Sequence, residues 1–598
     1  IHSRFLMPLV AERLGDAEAF RRGGYGTDVH LREWTFDGGA SQEHGDTYYA
    51  AISLTASRQA AADLKDPILR LKADLVTEKF LHEFAAAYHP VTRMQVMPVS
   101  RSERDIFRTQ HASYQAMHTL SRRGVLFLEG PRLIDSGSNS AFRTAMLAPW
   151  GGAWEADLID EKPLPWAYRC TDTLWMTRFD EPLQMVHHLD RRFALASVNV
   201  LGRQFSIVGC WTRTGQPVTR ADQRGGLILG GSNPKGASLQ HGGRVLMLSQ
   251  PGRVAEAWLY GLADADAREV YVNGKRLDEG AAEAACGDRI VVKDGACCVA
   301  LVPIAPGGGK VSVSREGKFQ FGKPGDIAVT HASADGVAGF YLELVATDAP
   351  GAVDKSLAAA AVRATQDAAT KLVTASWQAG GETMELVYDP SQEASAPASR
   401  IIPRATVNGR SPYLPEGLHV ETPWTQMGKT GELSRGGAVL KTAPGQMALL
   451  RSVPPAGVYR AVQPFCETVP LELATPEGLV VRADGEISMT RLTACPKVGW
   501  LDVEYAHPGA GDVGAEWLQQ EVEAGLTGHG FGAMTRRSEW FYRPGAKVAD
   551  ARRTATKALL LAGAPEGLKV RLNGRPLAGP FEKVEADGKT WLRVPIAD

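Results

Sequence analysis

The sequence predicts an α+β multidomain protein, with helical hairpins at the N-terminus followed by a large antiparallel β-sandwich and smaller β domains. Three observations support this fold class. Apolar residues recur at helical spacing up to about Arg123. After Gly124 the pattern changes to short apolar runs separated by Gly, Pro, Asn and Asp, which is typical of strands and turns. Three Asn-Gly pairs between strand-forming residues, at Asn273, Asn408 and Asn573, predict tight hairpins because both turn positions need a positive φ.

Four N-terminal segments are predicted to be helical, and their ranges are 4–20, 48–63, 67–88 and 103–123. We expect Arg21-Arg22-Gly23-Gly24 to end the first helix, with a polar and aromatic loop from Tyr25 to Thr47 behind it. Asp46 can cap the second helix, because its carboxylate can accept free amide protons there. Asp66-Pro67 opens the third helix with a capping carboxylate and a proline at the first helical position. Pro90 ends it, because the residue before proline is disfavoured in helical geometry.

The remaining chain predicts mainly strands. Apolar runs of strand length include 125–128, 193–196, 226–229 and 245–248. An alanine-rich stretch, 357–370, is the expected helix within this β region, and His187-His188 is expected in a turn between strands. The predicted domains are a helical domain (1–123), a large β-sandwich (124–375), a β domain (376–500) and a C-terminal β-sandwich (501–598).

Composition excludes several classes of protein. The chain has 66 Lys and Arg against 67 Asp and Glu, which argues against a dedicated nucleic-acid binder. No apolar run has the length of a membrane span. The chain begins at Ile1 without a signal-peptide pattern, so we expect a processed or shortened N-terminus. Seven cysteines without a CxxC pair indicate neither a disulfide framework nor a zinc site, and pairing of Cys466 with Cys495 stays open beside free buried thiols.

Chemically active side chains gather at the predicted start of the second helix, namely Glu43, His44, Asp46, Tyr48 and Tyr49. Histidine can accept a proton near neutral pH, and a tyrosine hydroxyl can donate one to a leaving oxygen. Breaking a glycosidic bond needs a base and an acid held around the reacting centre. The alternative is that Asp46 only caps the helix and that His44 is a solvated loop residue. Upstream, Tyr25 and Trp34 are expected to stack on sugar rings, with Glu33 as a further substrate contact.

The segment from His89 to Arg101 also carries candidate binding residues. It contains His89, Arg93 and Arg101 and no carboxylate, so it can neutralise the carboxylate of a uronic acid, which arginine binds well through its planar fork. The alternative is that these cations only stabilise a helix C-terminus. The sequence has no Gly-x-Ser-x-Gly, no HExxH and no dinucleotide fingerprint. Hydrolytic serine enzymes, zinc proteases and dehydrogenases are therefore unsupported.

Two stretches carry a resemblance to a known family. The helical hairpins that end at Tyr88-His89-Pro90, followed by a long β region, resemble the heparinase II/III-like polysaccharide lyases and related enzymes that combine an (α/α) toroid with β-sandwiches. The stretch from Val270 to Pro303, with its Asn273-Gly274 turn and Gly287-Asp288-Arg289, is similar to part of the large sandwich in that family. The resemblance implies a partial (α/α) toroid, because residues 1–123 hold fewer hairpins than a full toroid needs.

The resemblance implies a polysaccharide lyase that cleaves a uronic-acid-containing glycan by β-elimination, with neither a cofactor nor a metal. His44 then removes the proton next to the carboxylate, and His89 is the reserve base. Tyr49, or its neighbour Tyr48, protonates the departing oxygen. Arg101 screens the carboxylate as negative charge develops. The asparagine that the family places beside this site has no clear counterpart in the neighbouring loop.

Two other functions stay open. A glycoside hydrolase on the same scaffold would use Glu43 with either Glu33 or Asp46 as paired carboxylates. A non-catalytic carbohydrate-binding protein would bind glycans without turnover. In each case the expected partner is a polysaccharide or oligosaccharide, with no nucleic acid and no membrane, and a homo-oligomer is left open. We expect a periplasmic or secreted bacterial protein.

Overall fold

The α+β fold class predicted from the sequence is confirmed by the computed structural model, which combines helices with several β-sheets. The structure describes residues 3–36, 38–41, 45, 49–100, 106–107, 110, 112–127, 153–172, 181–231, 233–260, 268–319, 326–333, 336–506 and 556–596. None of the helices in these ranges is both long enough and apolar enough to cross a membrane. All seven cysteines lie within the described ranges and are free thiols.

The helices are α1 (Ser3–Leu14), α2 (Ala17–Leu31), α3 (Tyr49–Asp63), α4 (Pro67–Ala87), α5 (Ala112–Leu120), α6 (Ala153–Asp160), α7 (Pro350–Ala359) and α8 (Ala398–Ile401), with a π-helical turn over Arg32–Phe36. Short 3₁₀ turns cover Ala221–Gln223 and Pro496–Val498. The predictions for α3 and α4 are confirmed. In α4 the side chain of Asp66 accepts a hydrogen bond from the Leu69 amide at 2.8 Å, and Pro67 occupies the first turn.

The predicted single helix over 4–20 is wrong, because the chain turns at Gly15 and starts a second helix at Ala17. Gly23 was expected to end a helix, yet it lies inside α2. A side chain at Gly23 would collide with Pro8 of α1, so glycine here permits close packing of the two helices. The predicted loop from Tyr25 to Thr47 is therefore helical as far as Phe36.

Other predicted elements also differ from the structure. Within the predicted helix 103–123, Ile106 and Phe107 form a turn, and α5 covers only Ala112–Leu120. The predicted helix 357–370 is wrong beyond Ala359, because Ala361–Gln366 is a strand. The His187-His188 pair lies in a strand and not in a turn. Residues 125–127 have no regular structure, and α6 was not predicted.

The first half of the strands comprises β1 (Tyr88–His89), β2 (Met94–Gln95), β3 (Trp166–Asp172), β4 (Leu183–Leu189), β5 (Phe193–Val198), β6 (Val200–Leu201), β7 (Ile207–Thr212), β8 (Arg224–Leu229), β9 (Gly236–His241), β10 (Arg244–Ser249), β11 (Ala255–Tyr260), β12 (Arg268–Val272), β13 (Lys275–Leu277), β14 (Ala281–Ala284), β15 (Ile290–Asp294), β16 (Cys297–Ile304), β17 (Lys310–Gly317), β18 (Asp326–Ala332) and β19 (Gly339–Val345).

The second half comprises β20 (Ala361–Gln366), β21 (Val373–Ala379), β22 (Glu382–Tyr388), β23 (Arg404–Val407), β24 (Leu418–Glu421), β25 (Thr425–Gly428), β26 (Glu432–Arg435), β27 (Ala438–Lys441), β28 (Ala448–Val453), β29 (Val458–Gln463), β30 (Glu472–Ala474), β31 (Val480–Ala483), β32 (Thr490–Cys495), β33 (Trp500–Tyr505), β34 (Ala558–Ala562), β35 (Lys569–Leu572), β36 (Arg575–Leu577), β37 (Glu582–Ala586) and β38 (Lys589–Pro595).

One sheet connects most of the chain. This large sheet contains β3, β4, β5, β7, β8, β11, β14, β17, β18, β24, β25, β28, β29, β32, β33, β35 and β36. Separate sheets are formed by β6, β9, β10, β12, β13, β15, β16 and β19, by β20–β23, and by β26, β27, β30, β31, β34, β37 and β38. In the large sheet β24 pairs with β3, with Val420 opposite Cys170. Strands from both sides of the predicted boundary at 375 therefore hydrogen-bond within one sheet.

The three Asn-Gly hairpins are confirmed. Asn273, Asn408 and Asn573 have φ values of 48°, 50° and 48°, and a positive-φ glycine follows each. The residues on either side of each pair are hydrogen-bonded partners across the turn. These turns therefore fix the register of their strands through local sequence alone.

Two hydrogen bonds attach the chain to the segment that precedes β32, one just after β33 and one just before β34. The amide of Ala506, just after β33, donates to the carbonyl of Met489 at 3.3 Å. The amide of Thr556, just before β34, donates to the carbonyl of Glu486 at 2.5 Å. Residues 506 and 556 are thus held at neighbouring points of one short segment.

Buried ion pairs tie the helices to the sheets. Asp28 of α2 accepts from Arg32 at 2.8 Å and from Lys72 of α4 at 2.7 Å. Arg32 also donates to Glu467 in the β region at 3.0 Å, and its guanidinium lies 4.3 Å from the centre of the Phe465 ring. These side chains are fully buried, so each charge depends on its partner for compensation. The helical part is thereby fixed in one orientation on the sheets.

Candidate functional site

Most of the residues predicted at the start of α3 lie outside the described residues. This applies to Glu43, His44, Asp46, Tyr48 and, two segments later, Arg101. Tyr49 is the first residue of α3, and Glu33 and Trp34 lie in the π-helical turn, but their side chains are outside the described part. The structure does describe the backbone at Gly45 and the segments that flank the predicted cluster.

Gly45 packs directly on the segment that precedes Arg101. Its φ is 71°, and a Cβ placed on it would lie 2.5 Å from the carbonyl oxygen of Pro98 and 2.9 Å from the Cα of Val99. Such distances leave room only for glycine. This contact, which we call the Gly45 junction, joins Gly45 to Pro98 and Val99. His44 is one residue from Gly45, and Arg101 is two residues from Val99.

The chain leading into the junction is held by α4. The amide of Ser41 donates to Glu83 at 2.8 Å, and the Lys79 ammonium donates to the carbonyl of Gly39 at 2.5 Å. Burial raises the pKa of Glu83 and lowers that of Lys79, while their mutual attraction, across 3.6 Å, opposes both shifts. The amide of Ala40 also donates to the carbonyl of Thr171 in β3 at 2.7 Å. Residues 39–41 are thus fixed by a helix and a strand.

The other side of the Gly45 junction rests on the β region. Val99 and Phe205 exchange backbone hydrogen bonds of 2.8 and 3.1 Å. The ring of Phe205 lies 6.0 Å from that of Phe319, which lies 5.5 Å from the half-buried Trp258. The indole N–H of Trp258 donates to Glu256 at 2.9 Å. A row of three aromatic side chains therefore continues from the Val99 side of the junction into the β region.

His89 occupies an interior position. One ring nitrogen lies 2.8 Å from the Thr92 hydroxyl, and the other lies 2.7 Å from the carbonyl oxygen of Asp190. Burial lowers the pKa of His89 to about 3, although the hydrogen bond with the Asp190 carbonyl opposes this shift. Both nitrogens of this ring thus contact protein atoms. Arg93 has a φ of 51° and donates to the carbonyl of Leu126 at 3.2 Å. Tyr25 is half-buried within α2.

A polar cavity, which sequence reasoning missed, lies between the helices and the large sheet. Its volume is about 480 Å³. We call it the α4 cavity, and it is lined by Arg58, Asp74, Thr77, Glu78, Leu81, Glu155, Arg460, Arg491, Thr493, Trp500, Asp502, Val503, Glu504, Arg571 and Gly574. The lining thus combines α3, α4 and α6 with strands β29, β32, β33 and β35.

Glu78 forms the ionised floor of the α4 cavity. Its carboxylate accepts from Arg491 at 2.7 Å, from Arg460 at 3.0 Å and from Arg451 at 2.5 Å. Burial alone would raise the pKa of Glu78, but the three guanidinium groups outweigh it and lower the pKa to about 2. The carboxylate of Glu78 is therefore charged at neutral pH.

Glu155 of α6 differs from Glu78 in that its pKa is raised. Burial raises its pKa to about 8, with a further increase from the charge of Glu78 and an opposing decrease from Arg460. Near neutral pH Glu155 is therefore mostly protonated, and its carboxyl can donate a hydrogen bond. Two carboxyl groups with such different pKa values give the cavity both a fixed anion and a neutral acid.

The rim of the α4 cavity is open to solvent. Arg571 binds both carboxylate oxygens of Asp502 at 2.5 Å, and its guanidinium lies 5.6 Å from the centre of the Trp500 ring. The Arg571 side chain is 52% exposed, whereas that of Glu78 is 7% exposed. Exposure thus falls from the rim to the floor, as in a pocket entered from one side.

Comparisons with known proteins give no family. No family model matches the sequence, and no curated protein matches it. Among solved structures, the chain is similar to chondroitinase AC lyase, studied in enzyme–oligosaccharide complexes and by mutagenesis, with 11% identity and a TM-score of 0.31. The alignment covers 80% of this chain and 74% of that one. A TM-score this low is below the level that indicates a shared fold, so this likeness assigns no activity to the chain.

Proposed function

We propose that this protein is a polysaccharide lyase that cleaves a uronic-acid-containing glycan by β-elimination at the Gly45 junction. His44 removes the proton from the carbon next to the carboxylate. The electron pair forms a carbon–carbon double bond as the neighbouring carbon–oxygen bond breaks. Tyr49, with Tyr48 as the alternative, donates its proton to the departing oxygen, and Arg101 screens the negative charge that develops on the carboxylate.

The observation that carries this proposal is the backbone contact between Gly45 and Pro98–Val99. The proposed base is adjacent to one side of this contact, and the proposed carboxylate ligand is two residues, at most ~7 Å of extended chain, beyond the other. A base and a guanidinium must both reach one sugar ring for this reaction. The contact supports the proposal, because it joins residues that neighbour both of them in the chain.

Rigid support for the junction also favours catalysis. A reacting group must be held within a fraction of an ångström of its productive position, which elements of the scaffold achieve better than free loops. Ser41 and Gly39 are bonded to Glu83 and Lys79 of α4, and Val99 is bonded to Phe205. These bonds hold residues 39–41, which precede His44, and Val99, which precedes Arg101.

The alternatives differ in their products. A glycoside hydrolase using Glu43 with Glu33 or Asp46 would consume water and leave no double bond. A carbohydrate-binding protein would release no product. The lyase product contains an unsaturated sugar that absorbs in the ultraviolet.

The experiment incubates the protein with a panel of uronic-acid-containing polysaccharides and follows ultraviolet absorbance together with new reducing ends. We expect both signals to rise together, and His44→Ala to lower the rate by about 10²–10⁴, the range for a general base. His241→Ala, at an exposed position at the end of β9, is the matched control and should retain the wild-type rate. Full activity in His44→Ala would exclude the proposed role, and reducing ends without absorbance would indicate the hydrolase.

A further inference from the structure

We propose that the α4 cavity is a second carbohydrate site, separate from the Gly45 junction, that binds neutral sugar residues. This site does not depend on the lyase reaction, because it consists of other residues. It is formed where Asp74 and Glu78 of α4 and Glu155 of α6 face β32 and β33. The ligand would be the uncharged end of an oligosaccharide.

The charge of the lining selects against ions. Four arginines line the cavity, and five acidic side chains do so, namely Asp74, Glu78, Glu155, Asp502 and Glu504. Because burial keeps Glu155 mostly protonated near neutral pH, four positive groups face four negative ones. At the entrance Asp502 is paired with Arg571, and Glu504 is paired with Arg491, so the entrance offers little net charge to attract an ionic sugar. A neutral ligand needs no such charge.

The ion pairs in the cavity present fixed hydrogen-bonding groups. Arg491 donates to Asp74 at 2.6 Å and to Glu78 at 2.7 Å, and it also pairs with Glu504. Such pairs place a donor and an acceptor side by side without net charge. A sugar hydroxyl both donates and accepts, so neighbouring hydroxyls match this arrangement. Thr493 and the protonated Glu155 add neutral polar groups of the same kind.

Trp500 supplies an apolar surface at the entrance. It is half-buried and begins β33, and the Arg571 guanidinium lies 5.6 Å from its ring centre. The C–H face of a pyranose ring can cover apolar indole surface while its hydroxyls bond the surrounding polar groups. Aromatic side chains with an apolar body and a polar handle are suited to such ligands.

The dimensions of the α4 cavity limit the ligand. A volume of about 480 Å³ lies within the range of small-molecule sites, roughly 300–1,000 Å³. The floor is closed by Glu78 and by the buried Glu155, whereas the rim is exposed. This shape suits the end of a chain and not the middle of an extended polymer.

The test uses calorimetry and tryptophan fluorescence with neutral tetrasaccharides of glucose, xylose, galactose and mannose, and with a tetrasaccharide of galacturonic acid. We expect at least one neutral probe to bind and to change the fluorescence, and the galacturonate probe to bind at least tenfold more weakly. Trp500→Ala and Arg571→Ala should each weaken binding of that neutral probe by about tenfold, because each removes part of the rim.

Arg482→Ala is the matched control. Arg482 lies 4.3 Å from the centre of the Trp591 ring and pairs with Asp587, which reproduces the Arg571–Trp500–Asp502 arrangement away from the cavity. Its loss should leave binding unchanged. If Trp500→Ala fails to fold, Thr493→Val, a smaller change in the lining, replaces it in the binding test. No binding of any neutral probe, stronger binding of the galacturonate probe, or equal losses in Arg571→Ala and Arg482→Ala would each overturn the proposal.

Discussion

Arg491 of β32 donates to Glu78 of α4 at 2.7 Å, across the boundary between the helices and the large sheet. The two residues are 413 positions apart in the chain, yet their side chains are almost fully buried against each other. Arg451 and Arg460 bind the same carboxylate from β28 and β29. A single acid on α4 therefore binds three strands of the sheet, and it also forms the floor of the α4 cavity.

Replacing Glu78 with alanine should destabilise the protein strongly. The change removes one negative charge beside the buried Arg451 and Arg491 and the partly buried Arg460, and breaking a buried ion pair from one side costs about 3–5 kcal/mol. The measurement is the free energy of unfolding from urea titration. Glu504→Ala is the control, because Glu504 also binds Arg491 but is 40% exposed, so its loss should cost less than about 1 kcal/mol. Equal costs in the two variants would contradict this account.

Glu155 should make stability fall as the pH rises through neutrality. Its pKa in the folded state is about 8 against 4.5 in the unfolded chain, so between these values the folded state binds the extra proton. The contribution of Glu155 to the free energy of unfolding is fully present below pH 4.5. It decreases towards pH 8, by about 1.4 kcal/mol per pH unit. Glu78, Arg451 and Arg460 act on Glu155 from the facing elements.

Glu155→Gln removes this titration without a large change in shape. Unfolding free energies of both proteins, measured at pH 6 and at pH 8, should show the variant gaining about 2 kcal/mol on the wild type over that interval, because Glu155 is already half ionised at pH 8. A constant difference between the two proteins would show that Glu155 does not retain its proton in the folded state.

His89 should make the folded state less stable at acid pH. Burial lowers its pKa to about 3 in the folded state, whereas the unfolded residue titrates near 6.5. The unfolded state therefore binds more protons between these values, so stability present above pH 6.5 is lost as the pH falls towards 3. The slope from this one group is at most about 1.4 kcal/mol per pH unit. In His89→Gln, unfolding free energies between pH 4 and pH 6.5 should depend less steeply on pH; an unchanged slope would contradict the prediction.

Gly45 and Gly15 form a matched pair for testing the Gly45 junction. Both have a φ of 71°, but a Cβ on Gly15 would meet nothing within 4 Å, whereas one on Gly45 would collide with Pro98. Alanine at either position carries a similar backbone strain of about 1 kcal/mol. Only Gly45→Ala should displace residues 98–99 and reduce the rate of unsaturated product formation, by about tenfold or more, since small misplacements are costly in catalysis. Equal rates in the two variants would show that the junction does not control the activity.

Features encoded by neighbouring residues were predicted from the sequence. Asp66-Pro67 identified the start of α4, because the cap and the first helical residue are adjacent in the chain. The Asn-Gly pairs gave all three hairpins for the same reason. Gly23 was misread, because its role depends on contact with Pro8 of another helix and not on its own helix propensity.

The α4 cavity could not be predicted from residues that are adjacent in the sequence. Glu78 and Glu155 stand in helices without a motif around them, and their partners Arg460 and Arg491 are supplied by strands several hundred residues later. Ionisation of these acids is set by burial, which appears only after the sheets have packed on α4. The predicted cluster at His44 came from local crowding of reactive side chains, and its roles stay predictions.

The anchoring of Ala506 and Thr556 has a practical consequence for protein engineering. Their amides bond to the carbonyls of Met489 and Glu486, which are three positions apart and so at most ~11 Å distant along the chain. In the described part of the chain, β33 takes its register from β32 and β35, and β34 from β31 and β38. The two anchors are therefore close enough for a short glycine–serine peptide to span the distance between them.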